Sequence, residues 1–128
     1  MADRYVNLDP TFLVKLRAFE DGCRAHSLRL IAVEGYRDPK RSDALYADWK
    51  AGKSKIRAAP GGKSAHNYGL AEDYLCLDDG GKVIASSQAP EYALMEEIAP
   101  RYGLKTLRAL NDGGHVELDG WEKLVHGV

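Results

Sequence analysis

The chain has 128 residues, of which 45% are hydrophobic and 29% charged. That is enough for one domain with one core and argues against intrinsic disorder. With 18 Lys and Arg against 19 Asp and Glu, the formal net charge is −1, which exerts no global pull toward nucleic acid or other polyanions.

Asp9-Pro10 reads as a helix N-cap followed by proline at the first helical position. Phe12, Leu16, Phe19 and Cys23 then recur on one helical face. Leu28 to Val33 is a short apolar, β-branched run expected to be a strand. Asp38-Pro39 repeats the helix-start signal, with Leu45 and Trp49 as the expected buried face. Pro60, Gly61 and Gly62 mark a loop between Gly52 and Ser64. Leu70 to Leu77 reads as a strand with Ala71, Asp73, Leu75 and Leu77 on one face. A turn at Asp78 to Gly81 suggests a return strand over Lys82 to Ala85. A third helix is expected from about Pro90 toward Ala99, with Leu94 and Ile98 inward and Pro100 ending or kinking it. Leu104 to Leu107 and His115 to Leu118 read as strands around a turn at Asn111 to Gly114, and Trp121 to His126 as a last helical turn. The order predicts a single α+β domain over residues 1–128, a small antiparallel sheet flanked by helices.

Cys23 and Cys76 stand at no metal-ligand spacing and read as two buried thiols rather than a bridge. The opening Met1 to Asn7 stretch lacks the apolar core of a signal peptide, and no apolar run spans a bilayer. The expectation is a chain made in the cytoplasm, with no membrane or nucleic-acid partner, that needs a separate route out if it works outside.

Two of the four histidines sit among carboxylates and glycines. His66 precedes Asp73 by seven positions, with Gly69 between them, and His115 has Asp112 three before it and Glu117 two after it. Imidazole nitrogen and carboxylate oxygen are common zinc ligands, and a catalytic zinc takes three from the protein. His66, Asp73 and His115 supply three, leaving Asp112 or Glu117 to take a proton from water. His115 and Glu117 would share a strand face. Taken singly, a histidine is more often a surface or satisfied core residue than a ligand, Asp73 reads also as an ordinary turn or strand-end carboxylate, and Glu117 as a solvated strand residue. Charge is also segregated: Arg37 to Lys63 holds eight basic and three acidic residues, whereas Glu72 to Glu122 holds eleven acidic and four basic. The plain reading is two solvated surfaces; the sharper one is a basic rim beside an acidic, metal-binding floor.

Ser64-Ala65-His66-Asn67-Tyr68-Gly69-Leu70-Ala71-Glu72-Asp73 matches S-x-H-x-x-G-x-A-x-D at every fixed position. It resembles the first metal-binding motif of the LAS-type peptidases, the group of lysostaphin, D-alanyl-D-alanine peptidases and sonic hedgehog. Asp112-Gly113-Gly114-His115 resembles their second motif, with Gly114 where the family often has proline or tryptophan. Glu34-Gly35-Tyr36-Arg37 resembles the strand end that bears the family's substrate-facing arginine. The resemblance runs from Leu8 to Leu118 and is nearest to the short L-alanyl-D-glutamate peptidases that phages use as endolysins. It implies a hedgehog- or D-Ala-D-Ala-peptidase-like fold and zinc held by His66, Asp73 and His115. It further implies Asp112 as general base with Glu117 as second candidate, Arg37 on the substrate carbonyl or carboxylate, and Ser64 lining the site. The implied substrate is bacterial peptidoglycan, cut at L-Ala–D-Glu by a monomer that a holin-like pore releases. The alternatives are a D,D-carboxypeptidase and a zinc-stabilised binding module without turnover.

Overall fold

The computed structural model describes residues 7–127. The N-terminal stretch read for a leader lies, up to residue 6, outside the described residues. Helix α1, Pro10–Ala25, starts where Asp9 caps it, its side chain accepting from the Phe12 amide at 3.0 Å. It buries Phe12, Leu16, Phe19 and Cys23, the stripe expected from the 3.6-residue period. Strand β1, Arg29–Glu34, leads to α2, Pro39–Lys50, capped by Asp38. A 3-10 turn at Ala65–Tyr68 precedes β2, Ala71–Leu77. Helix α3, Pro90–Ile98, runs into a second 3-10 turn, Ala99–Tyr102. Strand β3, Leu104–Leu107, the longer β4, Asp112–Leu118, and helix α4, Trp121–His126, complete the chain.

The four strands form one antiparallel sheet in the order β1-β2-β4-β3. On one face Tyr74, Cys76 and Val116 are buried with Phe19 of α1 and Met95 and Ile98 of α3. The register sets Asp73 opposite His115 and Ala71 opposite Glu117, so these alternate residues share the other face. Both thiols are free and buried, and burial pushes each up to about 12. Among the described residues no helix is long and apolar enough to cross a membrane.

Several expectations change in detail. Leu45 and Trp49 are only half-buried, and α2 buries Ser42 alone; that helix meets little of the core and is tied instead through Ser42 to Asn67 and through Asp43 to the Gly61 amide. Lys82 to Ala85 forms no strand, only a single bridge between Leu77 and Val83. The Tyr92 hydroxyl takes over there, accepting from the Cys76 amide at 3.1 Å and donating to the Ile84 carbonyl at 2.7 Å. In α3 the buried face is Tyr92, Met95 and Ile98, with Leu94 partly buried. Pro100 is the second residue of the 3-10 turn, at its start, where an N–H has no partner within the turn to lose. The last strand begins at Asp112 rather than His115 because the expected turn is a 3-10 turn at Arg108–Leu110 that ends on Asn111 with φ 61°.

Gly69 ends the His66 turn at φ 70°, and a Cβ there would lie 2.3 Å from the Asn7 carbonyl. Its own carbonyl accepts from the Asp9 amide at 2.9 Å, tying the α1 cap to the motif. We expect Gly69→Ala to lower unfolding free energy by more than about 1 kcal/mol, through both the positive φ and the contact. Asp9→Ala should lose about 1 kcal/mol through its cap. Chemical denaturation reads both; an unchanged midpoint in the Gly69 variant would contradict the packing described.

Candidate metal centre and active-site cleft

The His66 turn is fastened before the histidine is reached. Ser64 caps it, its hydroxyl accepting from the His66 amide at 3.3 Å. Asn67 closes the box: its Oδ1 accepts from the amides of Gly62 (3.0 Å) and Ser64 (3.2 Å). Its Nδ2 donates to the Arg37 carbonyl at 3.0 Å and the Ser42 hydroxyl at 2.9 Å. The Arg37 amide donates back to the His66 carbonyl at 3.0 Å. Sequence reading passed over Asn67, although its i, i+3 spacing from Ser64 is the capping-box signature with Asn in place of Glu or Gln.

Each imidazole has one nitrogen occupied by an acceptor. His66 Nδ1 lies 2.6 Å from the Gly35 carbonyl, which accepts from it, and Nε2 lies 3.1 Å from Asp73 Oδ1, so Nε2 is the nitrogen turned toward the cluster. His115 Nε2 lies 2.7 Å from Glu117 Oε1, and its Nδ1 lies 3.2 Å from Asp73 Oδ1. The rings stand 4.9 Å apart at 75°. One ligand atom from each of His66, Asp73 and His115 lies within 4.8 Å of the other two.

The electrostatics favour a cation among them. Burial pushes the Asp73 carboxyl up, but hydrogen bonds from His115 and His66, with their charges, hold it well below the usual carboxylate range. Burial opposes charge on His115, but hydrogen bonds to Asp73 and Glu117 outweigh it and push the imidazole up to about 9. Two nitrogens and a carboxylate oxygen gathered so closely need a proton or a metal between them. A metal would replace the proton that His115 Nδ1 shares with Asp73, because a ligand nitrogen must be deprotonated. Two imidazoles oriented by outer acceptors, plus one carboxylate, fit a three-ligand zinc site.

The two carboxylates left open by the sequence are placed differently. Glu117 is 5% exposed and fully engaged: Oε1 faces His115, and Oε2 accepts from Trp121 Nε1 at 2.9 Å with Lys105 at 3.6 Å. Burial raises its pKa, and these hydrogen bonds and charges bring it down below the ordinary value. It stands behind His115, on the nitrogen turned away from Asp73. Asp112 lines the cleft beside His66, Asp73 and His115, and its side chain makes no hydrogen bond among the described residues. Burial raises its pKa, assisted by the Asp73 charge and opposed by His115, His66 and Arg57.

Two register breaks bring distant groups in. Between Thr106 and Leu107 the β3 partner jumps from Val116 to Asp112, so β4 swells over 113–115. A regular strand would send residues 112 and 115 to opposite faces; the swelling puts both in one cleft. The Ser87 hydroxyl accepts from the Gly113 amide at 2.9 Å. A Cβ on Gly114 would lie 2.0 Å from the Tyr74 carbonyl, which leaves no room there for proline or tryptophan. The second break, between Ala32 and Glu34, sets Glu34 opposite Asp73. Glu34 accepts from Arg37 Nε at 2.6 Å, and Arg37 Nη2 reaches Asp73 Oδ2 at 3.5 Å. Glu34, Lys105 and Trp121 were missed because their partners lie across strands, where no local pattern reports them. The resulting cleft has a volume of about 350 Å³, with Ser64 and Arg37 in its wall and Ile56 and Leu110 at its rim.

Comparison with known proteins places this geometry. The family model VanY, D-alanyl-D-alanine carboxypeptidase, matches residues 6–121. The peptidoglycan L-alanyl-D-glutamate endopeptidase CwlK of Bacillus subtilis (strain 168) is 32% identical over 79 residues, 61% of this chain and 47% of that protein; the match thus spans about half the relative's length. Among solved structures, a mutant of the vancomycin-resistance D,D-pentapeptidase VanY from a VanB-type cassette, in complex with Zn(II), superposes with TM-score 0.66 at 20% identity, over 93% of this chain and 76% of that one. The L-Ala D-Glu endopeptidase ChiX of Serratia marcescens gives TM-score 0.64 at 20% identity, over 93% and 86%. These structures share the fold.

Metal analysis of protein purified without chelator should find about one zinc per chain. His66→Ala and His115→Ala should each lose it. Full occupancy in both variants would overturn the ligand set.

Proposed function

The chain belongs to the VanY family of D-alanyl-D-alanine carboxypeptidases, and from that membership we propose that it is a zinc peptidase of bacterial cell-wall peptides, cutting between L-Ala and D-Glu. The observation that carries this reading is one cleft holding three converging ligand atoms and a carboxylate that makes no hydrogen bond among the described residues. His66, Asp73 and His115 would hold the metal. Zinc bound there supplies Lewis acidity, which polarises a carbonyl and makes water nucleophilic near neutral pH.

The chain's own groups do the rest. Asp112 takes the proton from the attacking water and passes it to the leaving amine. Its burial in the cleft raises its basicity for that work. Arg37, steadied by Glu34, presents its guanidinium beside Asp73, where it would stabilise negative charge developing on the carbonyl oxygen. Ser64 caps the His66 turn and lines the wall. Glu117 has its oxygens occupied by His115 and Trp121; it orients the ligand histidine and leaves the base role to Asp112. No covalent intermediate is needed, and the buried thiols take no part.

The bond at L-Ala–D-Glu is supported by the match to CwlK, whose name states that activity. The family description supports a second reading, removal of the terminal residue from D-Ala–D-Ala by the same chemistry. The motif resemblance to short phage endolysins supports a lytic role after release through a separate pore.

Three outcomes check this reading. Asp112→Asn should keep its metal and lose about 10²- to 10⁴-fold in turnover; a dead Glu117→Gln beside an active Asp112→Asn would reverse the assignment. Purified peptidoglycan digested by the zinc-loaded protein should release stem peptides with a new D-Glu amino terminus, read by mass spectrometry. Loss of D-Ala alone would select the carboxypeptidase. Cells expressing the protein should lyse only when a pore is co-expressed; intact cells despite wall-cleaving protein would remove the lytic role.

A further inference from the structure

Four cations line the cleft: Arg37, Arg57, Lys63 and Lys105. Two are engaged. Arg37 is bonded to Glu34 and reaches Asp73, and Lys105 lies 3.6 Å from Glu117 and 4.0 Å from Asp119. The side chains of Arg57 and Lys63 make no ion pair or hydrogen bond among the described residues. Both come from the loop between α2 and the His66 turn, whose end by Lys63 is firmly held. The Lys63 amide donates to the Pro60 carbonyl at 3.0 Å. Its neighbours Gly62 and Ser64 donate to Asn67, and the Gly61 amide donates to Asp43 at 2.6 Å. The Tyr68 hydroxyl donates to the Gly62 carbonyl at 2.8 Å. Arg57 stands near enough to Asp112 for its charge to oppose the burial of that carboxyl. The cleft wall thus carries two exposed cations with no ion-pair partner among the described residues, and Arg57 is the one near the proposed base.

We propose that Arg57 and Lys63 form a carboxylate subsite for the residue on the leaving-amine side of the scissile bond, gripping the free carboxylate on the carbon bonded to the scissile nitrogen. The proposal rests on the peptidase reading above and deepens it. In L-Ala–D-Glu the glutamate continues the stem through its side-chain carboxyl, which leaves its α-carboxylate free. In D-Ala–D-Ala the terminal residue carries the same group at the same place. Both candidate bonds therefore bring one anion to one position relative to the metal and base. Without cations there, that anion would meet Asp112, Asp73, Glu117 and Glu122, all of which line the cleft, and like charges would repel it. Arg57 and Lys63 remove that repulsion, and the guanidinium can take a carboxylate through two parallel hydrogen bonds.

The test uses two L-Ala–γ-D-Glu stem peptides that differ only at the glutamate α-carboxyl, free in one and amidated in the other. The zinc-loaded protein should favour the free acid by about tenfold or more in kcat/KM. The double variant Arg57→Gln/Lys63→Gln should lose that preference by losing rate on the free acid while keeping its rate on the amide. Indifference of the unaltered protein to amidation, or equal loss on both peptides, would overturn the subsite. Calorimetric titration of both peptides into the non-cleaving Asp112→Asn protein measures the same preference without turnover: tighter binding of the free acid, abolished in the triple variant, is expected, and equal affinity refutes it. If the unaltered protein cleaves neither peptide, the assigned bond falls, while the binding ratio still decides the subsite.

Discussion

Asp73 faces His115 across the β2–β4 pair, and the ligand cluster exists because that register is kept. A strand alternates its faces, so a slip of one residue would turn a ligand into the core and a core residue into the cleft. The opposite face prevents the slip. Tyr74, Cys76 and Val116 are packed under α1 and α3 at 3% exposure or less. The Tyr92 hydroxyl holds the Cys76 amide where a further strand would otherwise have done so. The apolar core on one side of the sheet is thus the positioning device for the polar cluster on the other. Little of that stabilisation has to come from the cluster itself, which would be costly to assemble from buried charges alone.

Regular pairing accounts for Asp73 and His115 but not for the groups around them. Asp112 and Arg37 enter through the two places where pairing fails. In β4 the swelling over 113–115 turns Asp112 into the cleft, and Gly114 is small enough to pass against the β2 backbone. In β1 the extra residue before Glu34 brings a carboxylate opposite Asp73, where it holds the Arg37 guanidinium. Bulges next to functional sites commonly re-aim side chains in this way. Here one serves the proposed base and the other the arginine proposed to meet developing charge, while Asp73 and His115 keep their pairing across β2 and β4.

Much of this was legible in the sequence, because its signals are local. The Asp-Pro helix starts, the α1 stripe and the alternation of β2 each depend on neighbours a few positions apart. The motif around His66 and Asp73 is likewise contained in ten residues. What escaped was non-local. Leu45 and Trp49 have the spacing of a buried face, but α2 meets little of the core and leaves both half-buried. Lys82 to Ala85 follows a proper turn, yet a tyrosine hydroxyl occupies the hydrogen bonds a strand would have used. The choice between Asp112 and Glu117 was open in the sequence because both stand near His115 along the chain. The proposed choice of Asp112 rests on Trp121 and Lys105, which occupy Glu117 from elements that no spacing rule connects to it.

The two histidines proposed as ligands are oriented by different kinds of acceptor. His66 leans on the main-chain carbonyl of Gly35, whereas His115 leans on the side chain of Glu117. A backbone carbonyl survives every point substitution at its own position, so no single codon change at residue 35 removes the acceptor that fixes the His66 tautomer. The acceptor behind His115 can be deleted by one such change, and its own supports on β3 and α4 can drift as well. Heritable tuning of the two acceptors is therefore lopsided: one substitution can delete the acceptor behind the β4 histidine, whereas the acceptor behind the motif-turn histidine is main chain.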